Sequence, residues 1–302
     1  MSAPLMMICA SFLFASMGVC VKLASEFYAA GEIVMYRGAV GAVLLLILTQ
    51  LRGQSLRTKV PTMHFWRSLS GVIALSLWFY AIGKLPLATA MTLNYMSSVW
   101  MALFLIGGAV MMGSARVDGR LVAAVLLGFV GVALVLRPTL DQQQLWHGLA
   151  GLLSGMLAAL AYLQVTALGR AGEPEYRIVF YFSVGGTLAG ALSTWALTWS
   201  EQARVHNHDL KGIALLLAVG VLATAAQMLM TRAYAQGRTL TIACLQYLGI
   251  VFAFLYGALL FEDPLTPWAI CGMLLIVLAG VAATLLRSTS TPPDSQHSVN
   301  ES

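Results

Sequence analysis

The sequence predicts an all-α membrane protein with ten transmembrane helices, arranged as two inverted five-helix repeats. Of the 302 residues, 59% are hydrophobic and only 10% are charged, whereas a soluble domain has about 25% charged residues. The apolar residues fall in blocks of about 20, the length that a helix needs to cross a bilayer. The second half of the chain also repeats short stretches of the first half. These three observations together predict the fold class.

The apolar blocks are separated by short polar connections. The ten predicted spans cover residues 4–23, 33–51, 66–84, 87–111, 120–137, 148–169, 177–198, 212–233, 239–261 and 266–286. The first span follows no basic segment and precedes no clear cleavage site, so we interpret it as a retained helix rather than a signal peptide. Residues 288–302 are polar and rich in serine and proline, and we expect a disordered cytoplasmic tail there.

The internal repeat sets the predicted domain organisation. Asn94-Tyr95-Met96 in span four corresponds to Gln246-Tyr247-Leu248 in span nine. We therefore predict one five-helix repeat at residues 1–138 and a second at 139–287. Because an odd number of spans reverses the chain direction, the second repeat should lie upside down relative to the first. That arrangement is typical of alternating-access transporters.

Two glycine pairs have the spacing of close helix contacts in membranes. They are Gly151-x3-Gly155 in span six and Gly186-x3-Gly190 in span seven. Glycine is common in membrane helices, so each pair is either a helix contact or incidental.

The distribution of basic residues predicts the orientation. With a cytoplasmic N-terminus, most of the 17 Lys and Arg residues, Arg67 among them, fall at inner connections. Cytoplasmic connections of membrane proteins carry such an excess. Both termini are therefore predicted to be cytoplasmic, in a bacterial inner membrane. The net charge of +5 does not indicate nucleic-acid binding, because the basic residues are spread over short connections.

Several segments resemble a known family. CLQYLGIVF at residues 244–252 leads into LFEDPLT at 260–266, and a last span with spaced glycines follows. In the first half, LPLATA at residues 85–90 precedes span four, and GFVGV at 128–132 lies in span five. With the ten-span duplication, these segments resemble the EamA family of the drug/metabolite transporter superfamily over residues 4–287.

The resemblance implies secondary transport of small metabolites such as amino acids, often export, and in some members uptake of vitamins or other metabolites. The chain also departs from the family pattern. Ser98 and Ile250 stand where members often have proline, and Gly113 stands where a glutamate equivalent to Glu262 is common. We therefore expect any helix break in spans four and nine to come from glycine or serine.

Polar residues inside the spans are the candidate substrate-binding residues, because an unsatisfied polar group in hydrocarbon is costly. Asn94 and Gln246 occupy matching positions in the two halves, and Ser98 shares a helix face with Asn94. They line a cavity or contact neighbouring helices. A polar stripe on span eight, which faces a cavity or another helix, consists of Thr224, Gln227, Thr231 and Tyr234.

Aromatic residues in the spans are a second set of candidates. Tyr95 and Tyr247 follow the two amides, where they close over a substrate or pack against lipid. Trp100 and Tyr162 lie well inside spans and are candidates for cavity lining. Other aromatic residues, such as Trp78, we assign to the belts at the membrane interface.

Arg37 is the best candidate for a charged binding residue. It lies about one helical turn inside span two, where it would attract a substrate carboxylate; alternatively it snorkels to the interface or pairs with Glu32. Fixed charge inside the spans is otherwise nearly absent, so we expect a small, neutral or zwitterionic substrate, with an aromatic compound as one option. With no evident carboxylate relay, a facilitator or exchanger is favoured over a proton-coupled carrier.

The sequence lacks catalytic signatures. It contains neither a G-x4-G-K-[ST] loop nor an H-E-x2-H motif or nucleophile elbow. We therefore expect no enzyme activity, no metal and no cofactor. The expected partners are a small-molecule substrate and membrane lipids, not nucleic acid, and a homodimer is left open. Three rival functions are an uptake permease for a vitamin or nucleoside-like compound, a membrane-embedded enzyme acting on lipid-linked intermediates, and a non-transporting subunit.

Overall fold

The computed structural model describes residues 2–111, 142–199, 209–236, 245–263 and 266–289, with a few isolated positions between 123 and 134 and at 242. All regular structure in this part of the chain is helical. The helices are α1 (Ala3–Ala24), α2 (Ala30–Leu51), α3 (Pro61–Lys84), α4 (Leu87–Tyr95), α5 (Ser97–Met111), α6 (Gln142–Arg170), α7 (Glu175–Trp199), α8 (Leu210–Gln236), α9 (Leu248–Leu260) and α10 (Pro267–Thr289).

Six of the described helices, α1–α3 and α6–α8, are each long and apolar enough to cross a membrane. Their outer faces expose large hydrophobic side chains such as Leu188 and Leu192, which suit contact with lipid tails. Helices α4 and α5 together cover predicted span four, and α9 and α10 overlap spans nine and ten. Predicted span five lies mostly outside the described residues. The chain is therefore a multi-pass membrane protein.

Proline and glycine set several helix boundaries. Helices α1 and α3 each have proline in the first turn, where the missing N–H would be unpaired in any case. Helices α2 and α6 are each followed by a glycine with positive φ, 62° at Gly53 and 80° at Gly172. Such left-handed residues terminate helices and satisfy their last carbonyl groups. Each glycine therefore ends its helix at this end of the bundle.

Helices from the two halves of the chain pack against each other. Helix α1 lies along α8, α3 along α6, and α2 along α7. Helix α4 contacts α6 and α9, and α9 also contacts α1. The largest fully buried side chains include Met17, Ile33, Phe79 and Met91. The protein interior is therefore built jointly by both halves.

Glycines permit the closest of these approaches. A Cβ atom on Gly190 of α7 would lie 2.5 Å from the backbone nitrogen of Met35 in α2. A Cβ atom on Gly155 of α6 would lie 2.7 Å from the carbonyl oxygen of Leu93 and 2.8 Å from that of Asn94, both in α4. The second glycine of each predicted pair therefore lies at a helix contact.

Spans four and nine are each interrupted by a turn, and the two turns are one residue apart in the repeat, where Tyr95 corresponds to Tyr247. The break in span four is at Met96, between α4 and α5, and the break in span nine is at Tyr247, directly before α9. At each break a tight turn forms: Val99 N donates to Met96 O (2.9 Å) and Ile250 N donates to Tyr247 O (3.0 Å). At Met96 the α-helical bonds continue beside the turn, since Trp100 N also donates to Met96 O (3.0 Å). Such turns inside helices mark hinges. The turn that begins at Met96 contains Ser97 and Ser98, and the turn that begins at Tyr247 contains Gly249, the residue types expected from the sequence.

The glycine contact between α4 and α6 leads to a stability prediction. Replacing Gly155 with Ala should lower the free energy of unfolding by about 1–3 kcal/mol, because the added methyl group overlaps two backbone carbonyls. Thermal unfolding of the purified protein in detergent measures this change. Gly169 lies in the same helix, and no atom is within 4 Å of the position that a Cβ atom would take there. Gly169→Ala is therefore the matched control and should unfold at or above the wild-type temperature. Equal melting temperatures for the two variants would contradict the contact.

Candidate substrate-binding site

A cavity of about 50 Å³ lies between helices of both halves. We call it the central cavity; α1–α4, α6, α7 and α8 all contribute to its wall. Six of the residues predicted from the sequence line it: Arg37, Asn94, Tyr95, Tyr162, Gln227 and Gln246. Ligand pockets usually exceed roughly 300 Å³, so a metabolite enters this cavity only if the surrounding helices move apart.

The two matched amides are held by polar partners from the second half. Asn94 Nδ2 donates to Ser154 Oγ at 3.0 Å. Gln246 Oε1 accepts a hydrogen bond from Tyr234 OH at 3.0 Å, and its Nε2 donates to Tyr162 OH at 3.4 Å. Each amide therefore has a hydrogen-bond partner inside the membrane, and each of the two side chains also lines the central cavity.

Other polar atoms at the central cavity lack protein partners. Gln227 Oε1, Trp78 Nε1 and Tyr95 OH are buried and have no hydrogen-bond partner in the described part of the chain. Trp78 was assigned to the membrane interface from the sequence, but it is only 6% exposed and lines the cavity. Buried polar atoms without partners are uncommon, and their convergence here indicates a place for a ligand.

A second cavity of about 350 Å³, which we call the vestibule, lies between the ends of α6 and α8 and the start of α7. Thr231 lines the vestibule rather than the central cavity. Tyr234 also borders it, and the Tyr234 ring stacks on that of Tyr162, with centroids 6.2 Å apart. Because Tyr162 and its partner Gln246 line the central cavity, these three side chains separate the two cavities.

Three predicted site residues lie elsewhere. Ser98 is partly buried but does not line the central cavity. Trp100 stacks on Phe104, with ring centroids 6.4 Å apart. Tyr247 lines an apolar groove of about 410 Å³ formed by α9 and α10. The structure therefore does not bring these three side chains to the central cavity.

Two buried arginines are the main charged feature of the site. Arg37 from α2 and Arg67 from α3 are each 3% exposed and line the central cavity. Their guanidinium carbons lie 5.0 Å and 4.2 Å from the centroid of the Phe182 ring. Sequence reasoning placed Arg67 with the basic connections and missed this role. The available signal was its position inside predicted span three, where ionisable residues are usually functional.

One end of the bundle is closed by an ion pair. Lys22 Nζ, near the end of α1, lies 2.7 Å and 3.0 Å from the two carboxylate oxygens of Asp263. Asp263 Oδ2 also accepts a hydrogen bond from Leu87 N at the start of α4 (2.9 Å). This Lys22–Asp263 cluster joins α1, α4 and the segment after α9. Glu262, the family-pattern residue, is exposed with φ of 49° and directs the chain into the cluster.

The other end is closed by a larger polar network around Glu173. Its carboxylate accepts hydrogen bonds from His64 Nε2 (3.1 Å), Arg177 Nη1 (3.1 Å) and Thr58 Oγ1 (3.0 Å). Arg177 Nη2 also donates to Ser55 O at 2.8 Å. The Glu173 cluster therefore ties the connection between α2 and α3 to the connection between α6 and α7.

Helices long enough to cross a membrane, an interior polar cavity and a closure at each end together define a membrane transporter. Residues 1–137 match the EamA-like transporter family. The pseudopaline exporter CntI of Pseudomonas aeruginosa (strain UCBPP-PA14) is 33% identical over 281 residues, which are 93% of this chain and 95% of that protein. The chain belongs to the EamA family of the drug/metabolite transporter superfamily, whose members are transporters and not enzymes.

Two further comparisons agree with this assignment. A riboflavin transporter of Rhizobium johnstonii is 27% identical over 195 residues, covering 63% of this chain and 59% of that protein. A crystal structure at 17% identity superposes with a TM-score of 0.64, covering 94% of this chain and 97% of that chain. At this identity the superposition shows a common fold.

The Glu173 cluster predicts a pH-dependent stability. Burial raises the pKa of Glu173, but hydrogen bonds from His64, Arg177 and Thr58 outweigh it and hold the pKa below its ordinary value of 4.5. The stabilisation is therefore complete above that ordinary value and is lost as the pH falls through the lower folded-state pKa. Thermal unfolding should show Glu173→Gln destabilised by about 2 kcal/mol at neutral pH, with the difference from wild type shrinking in acid.

Glu175→Gln is the control for this measurement, because it removes a neighbouring carboxylate that takes no part in the hydrogen bonds of the Glu173 cluster. A pH-independent difference between wild type and Glu173→Gln would contradict the role of the ionised carboxylate.

Proposed function

We propose that the protein is a secondary transporter that moves small metabolites, such as amino acids, across the cytoplasmic membrane by alternating access. The observation that carries this proposal is a polar central cavity closed toward one end by the Lys22–Asp263 cluster. Toward the other end, the Tyr162–Tyr234 pair and the Glu173 cluster close it. A carrier must be able to close its binding site from either side in turn.

The helix pairing supports two inverted repeats. In the predicted repeat, helices α1, α2 and α3 correspond to α6, α7 and α8. Helix α1 packs against α8, and their counterparts α6 and α3 also pack against each other. The third pair, α2 and α7, consists of two helices that correspond to each other. Tyr80 near the end of α3 contacts His147 near the start of α6, with ring centroids 5.0 Å apart. This contact makes α3 and α6 antiparallel, which favours opposite orientations of the halves. The repeat bounds at 1–138 and 139–287 belong to this proposal.

The distribution of charge supports the proposed orientation. The Glu173 cluster lies among Arg and Lys residues of the connections at residues 52–60 and 170–177, whereas the Lys22–Asp263 cluster lies at the more acidic end. Basic connections are retained in the cytoplasm. The vestibule then faces the cytoplasm, both termini are cytoplasmic, and the membrane is a bacterial inner membrane.

Export is the favoured direction in this proposal. A pseudopaline exporter is 33% identical and covers 93% of the chain, and the vestibule on the proposed cytoplasmic side suits substrate arriving from the cytoplasm. No carboxylate lines the central cavity in the part of the chain described by the structure, so an exchanger or facilitator suits the site better than a proton-coupled carrier.

Uptake of a vitamin or nucleoside-like metabolite is the second candidate. The similarity to a riboflavin transporter and the stacked Tyr162 and Tyr234 rings favour this alternative, because planar compounds stack on aromatic side chains. The two candidates differ in substrate and direction rather than in fold.

Transport by reconstituted protein tests the function. Vesicles preloaded with an unlabelled amino acid should accumulate the labelled compound by exchange, without an imposed ion gradient. Asn94→Ala and Gln246→Ala should each reduce the exchange rate by roughly tenfold, as expected for the loss of a buried hydrogen bond. Ser76→Ala is the control and should leave the rate unchanged, because Ser76 is a half-buried residue of α3 that does not line the central cavity. Normal exchange by both amide variants would show that the site is elsewhere. Exchange of riboflavin-like compounds alone would favour the second candidate.

Cysteine labelling tests the closure at the Lys22–Asp263 end. Ala74 lines the central cavity, so Ala74→Cys in a background without the four native cysteines reports access to it. Asp263→Asn should increase the rate of labelling by an impermeant maleimide from this end by about fivefold, because a weakened ion pair shifts the population toward the open form. Glu262→Gln, at an exposed neighbouring carboxylate, should leave the rate unchanged. Equal rates in both variants would contradict the closure.

A further inference from the structure

We propose that Arg37 and Arg67 form an anion-binding site in the central cavity, and that the transported metabolite is a small organic anion bearing at least one carboxylate. This inference rests on the proposed function, because it names the substrate class of the same cavity. It also replaces the neutral or zwitterionic substrate expected from the sequence.

The two guanidinium groups converge on one place from different helices. Arg37 extends from α2 and Arg67 from α3, and both lie over the ring of Phe182 on α7, 5.0 Å and 4.2 Å from its centroid. Each arginine is 3% exposed. Neither side chain therefore reaches the membrane surface, as a snorkelling arginine would.

The described part of the chain provides no counter-charge for this pair. Its ion pairs involve Lys22, His64 and Arg177 as the cationic partners. Arg37 Nε and both Nε and Nη1 of Arg67 are buried without a hydrogen-bond partner. In the sequence, none of the 12 Asp and Glu residues lies inside any of the ten predicted spans. An anionic partner must therefore come from outside the protein.

Two unpaired cations are an unfavourable arrangement inside a membrane protein. Burial removes the hydration of each guanidinium, and the two like charges repel each other. Contact with the face of one aromatic ring offsets only part of this cost. Groups that lower stability in this way persist at functional sites, and here the function that they serve is binding of an anion.

The surrounding atoms favour a carboxylate on an organic body. The planar guanidinium group binds carboxylates and phosphates through two parallel hydrogen bonds. Trp78 Nε1 and Tyr95 OH add donors without partners, while Gln227 Oε1 offers an acceptor for an ammonium or hydroxyl group of the same ligand. The apolar remainder of the wall, which includes Phe14 and Leu75, suits a carbon skeleton better than inorganic phosphate.

Gly71 provides the space that this arrangement needs. It lies one turn after Arg67 on α3, and a Cβ atom there would overlap Arg67 Nη1 and lie 3.0 Å from the Phe182 ring. A side chain at residue 71 would therefore displace the guanidinium without changing the charge of the protein.

Ligand-induced thermal stabilisation of the purified protein tests the site, because a compound that binds only the folded state raises its melting temperature. The probes are glutarate, glutamate, glutamine and inorganic phosphate. Glutarate and glutamate should raise the melting temperature over a concentration series, whereas glutamine and phosphate should have little effect. Arg37→Gln and Arg67→Gln should abolish the shift, and Arg57→Gln, at an exposed arginine, should retain it.

The stability of the unliganded variants provides a second readout. Arg67→Gln should unfold at a higher temperature than wild type without ligand, because it removes an unpaired buried charge; a purely structural arginine would give a lower temperature. Gly71→Ala keeps the charge and should lose the glutamate shift, while Gly107→Ala, at a residue with open space around it, should keep it.

Three results would overturn the anion site: stabilisation by glutamine equal to that by glutamate, stabilisation by phosphate alone, or an unchanged glutamate shift in both arginine variants. Rapid exchange of glutamine by the wild type that is unchanged in both arginine variants would do the same, while the transport function itself would stand. Conversely, arginine-dependent binding of glutamate without transport in vesicles would support the site and remove the transport function.

Discussion

The hydrocarbon core of a bilayer contains no water, so every polar group in the protein interior must find its partner within the chain or in a ligand. The helices meet this requirement for the backbone. Asn94 and Gln246 meet it through Ser154, Tyr162 and Tyr234. The ion pairs of the described residues lie near the ends of helices, where hydration is available. Against this background, several buried side-chain atoms without a hydrogen-bond partner converge on the central cavity, and this concentration makes it the candidate site.

The same requirement limits how the protein can move. Helices that pack through backbone contacts, such as α6 against α4 at Gly155, slide or bend little without exposing polar groups. The breaks at Met96 and Tyr247 are different, because a tight turn lies there within each span. Both breaks lie next to the matched amides. Motion concentrated there would change the shape of the cavity while the paired helices move as units.

The sequence predicted the described spans and the polar residues of the cavity because both follow from composition along the chain. Amides and tyrosines inside apolar segments had to face a partner, and Asn94, Tyr162, Gln227 and Gln246 do line the central cavity. The sequence could not predict which side chains of the apolar helices face the cavity. Helices that are apolar all round carry little periodic signal about their buried face, and that is why Trp78 was assigned to the interface.

The role of Arg67 was missed for a related reason. A basic residue at the start of a predicted span is compatible with an interfacial anchor or with a buried site one turn deeper, and boundaries read from sequence are uncertain by that amount. Only the neighbouring helices decide between the two. The Arg67 guanidinium packs on the Phe182 ring of α7, and the absence of a side chain at Gly71 leaves room for it inside the protein. Likewise, the partnership of Lys22 with Asp263 joins residues from opposite ends of the sequence, and no local pattern encodes it.

The polar clusters at the two ends of the bundle differ in chemistry, and in the proposed alternating-access cycle this difference would affect rates rather than net direction. The Lys22–Asp263 cluster is one ion pair supported by a backbone N–H. The Glu173 cluster joins three side-chain donors, His64, Arg177 and Thr58, to one carboxylate. Unequal closures change the resting populations of the conformations open to each side. A substrate shifts the equilibrium between these two conformations only by the difference in its affinity for them. Without coupling to an ion, net flux follows the substrate gradient, whichever closure is the stronger.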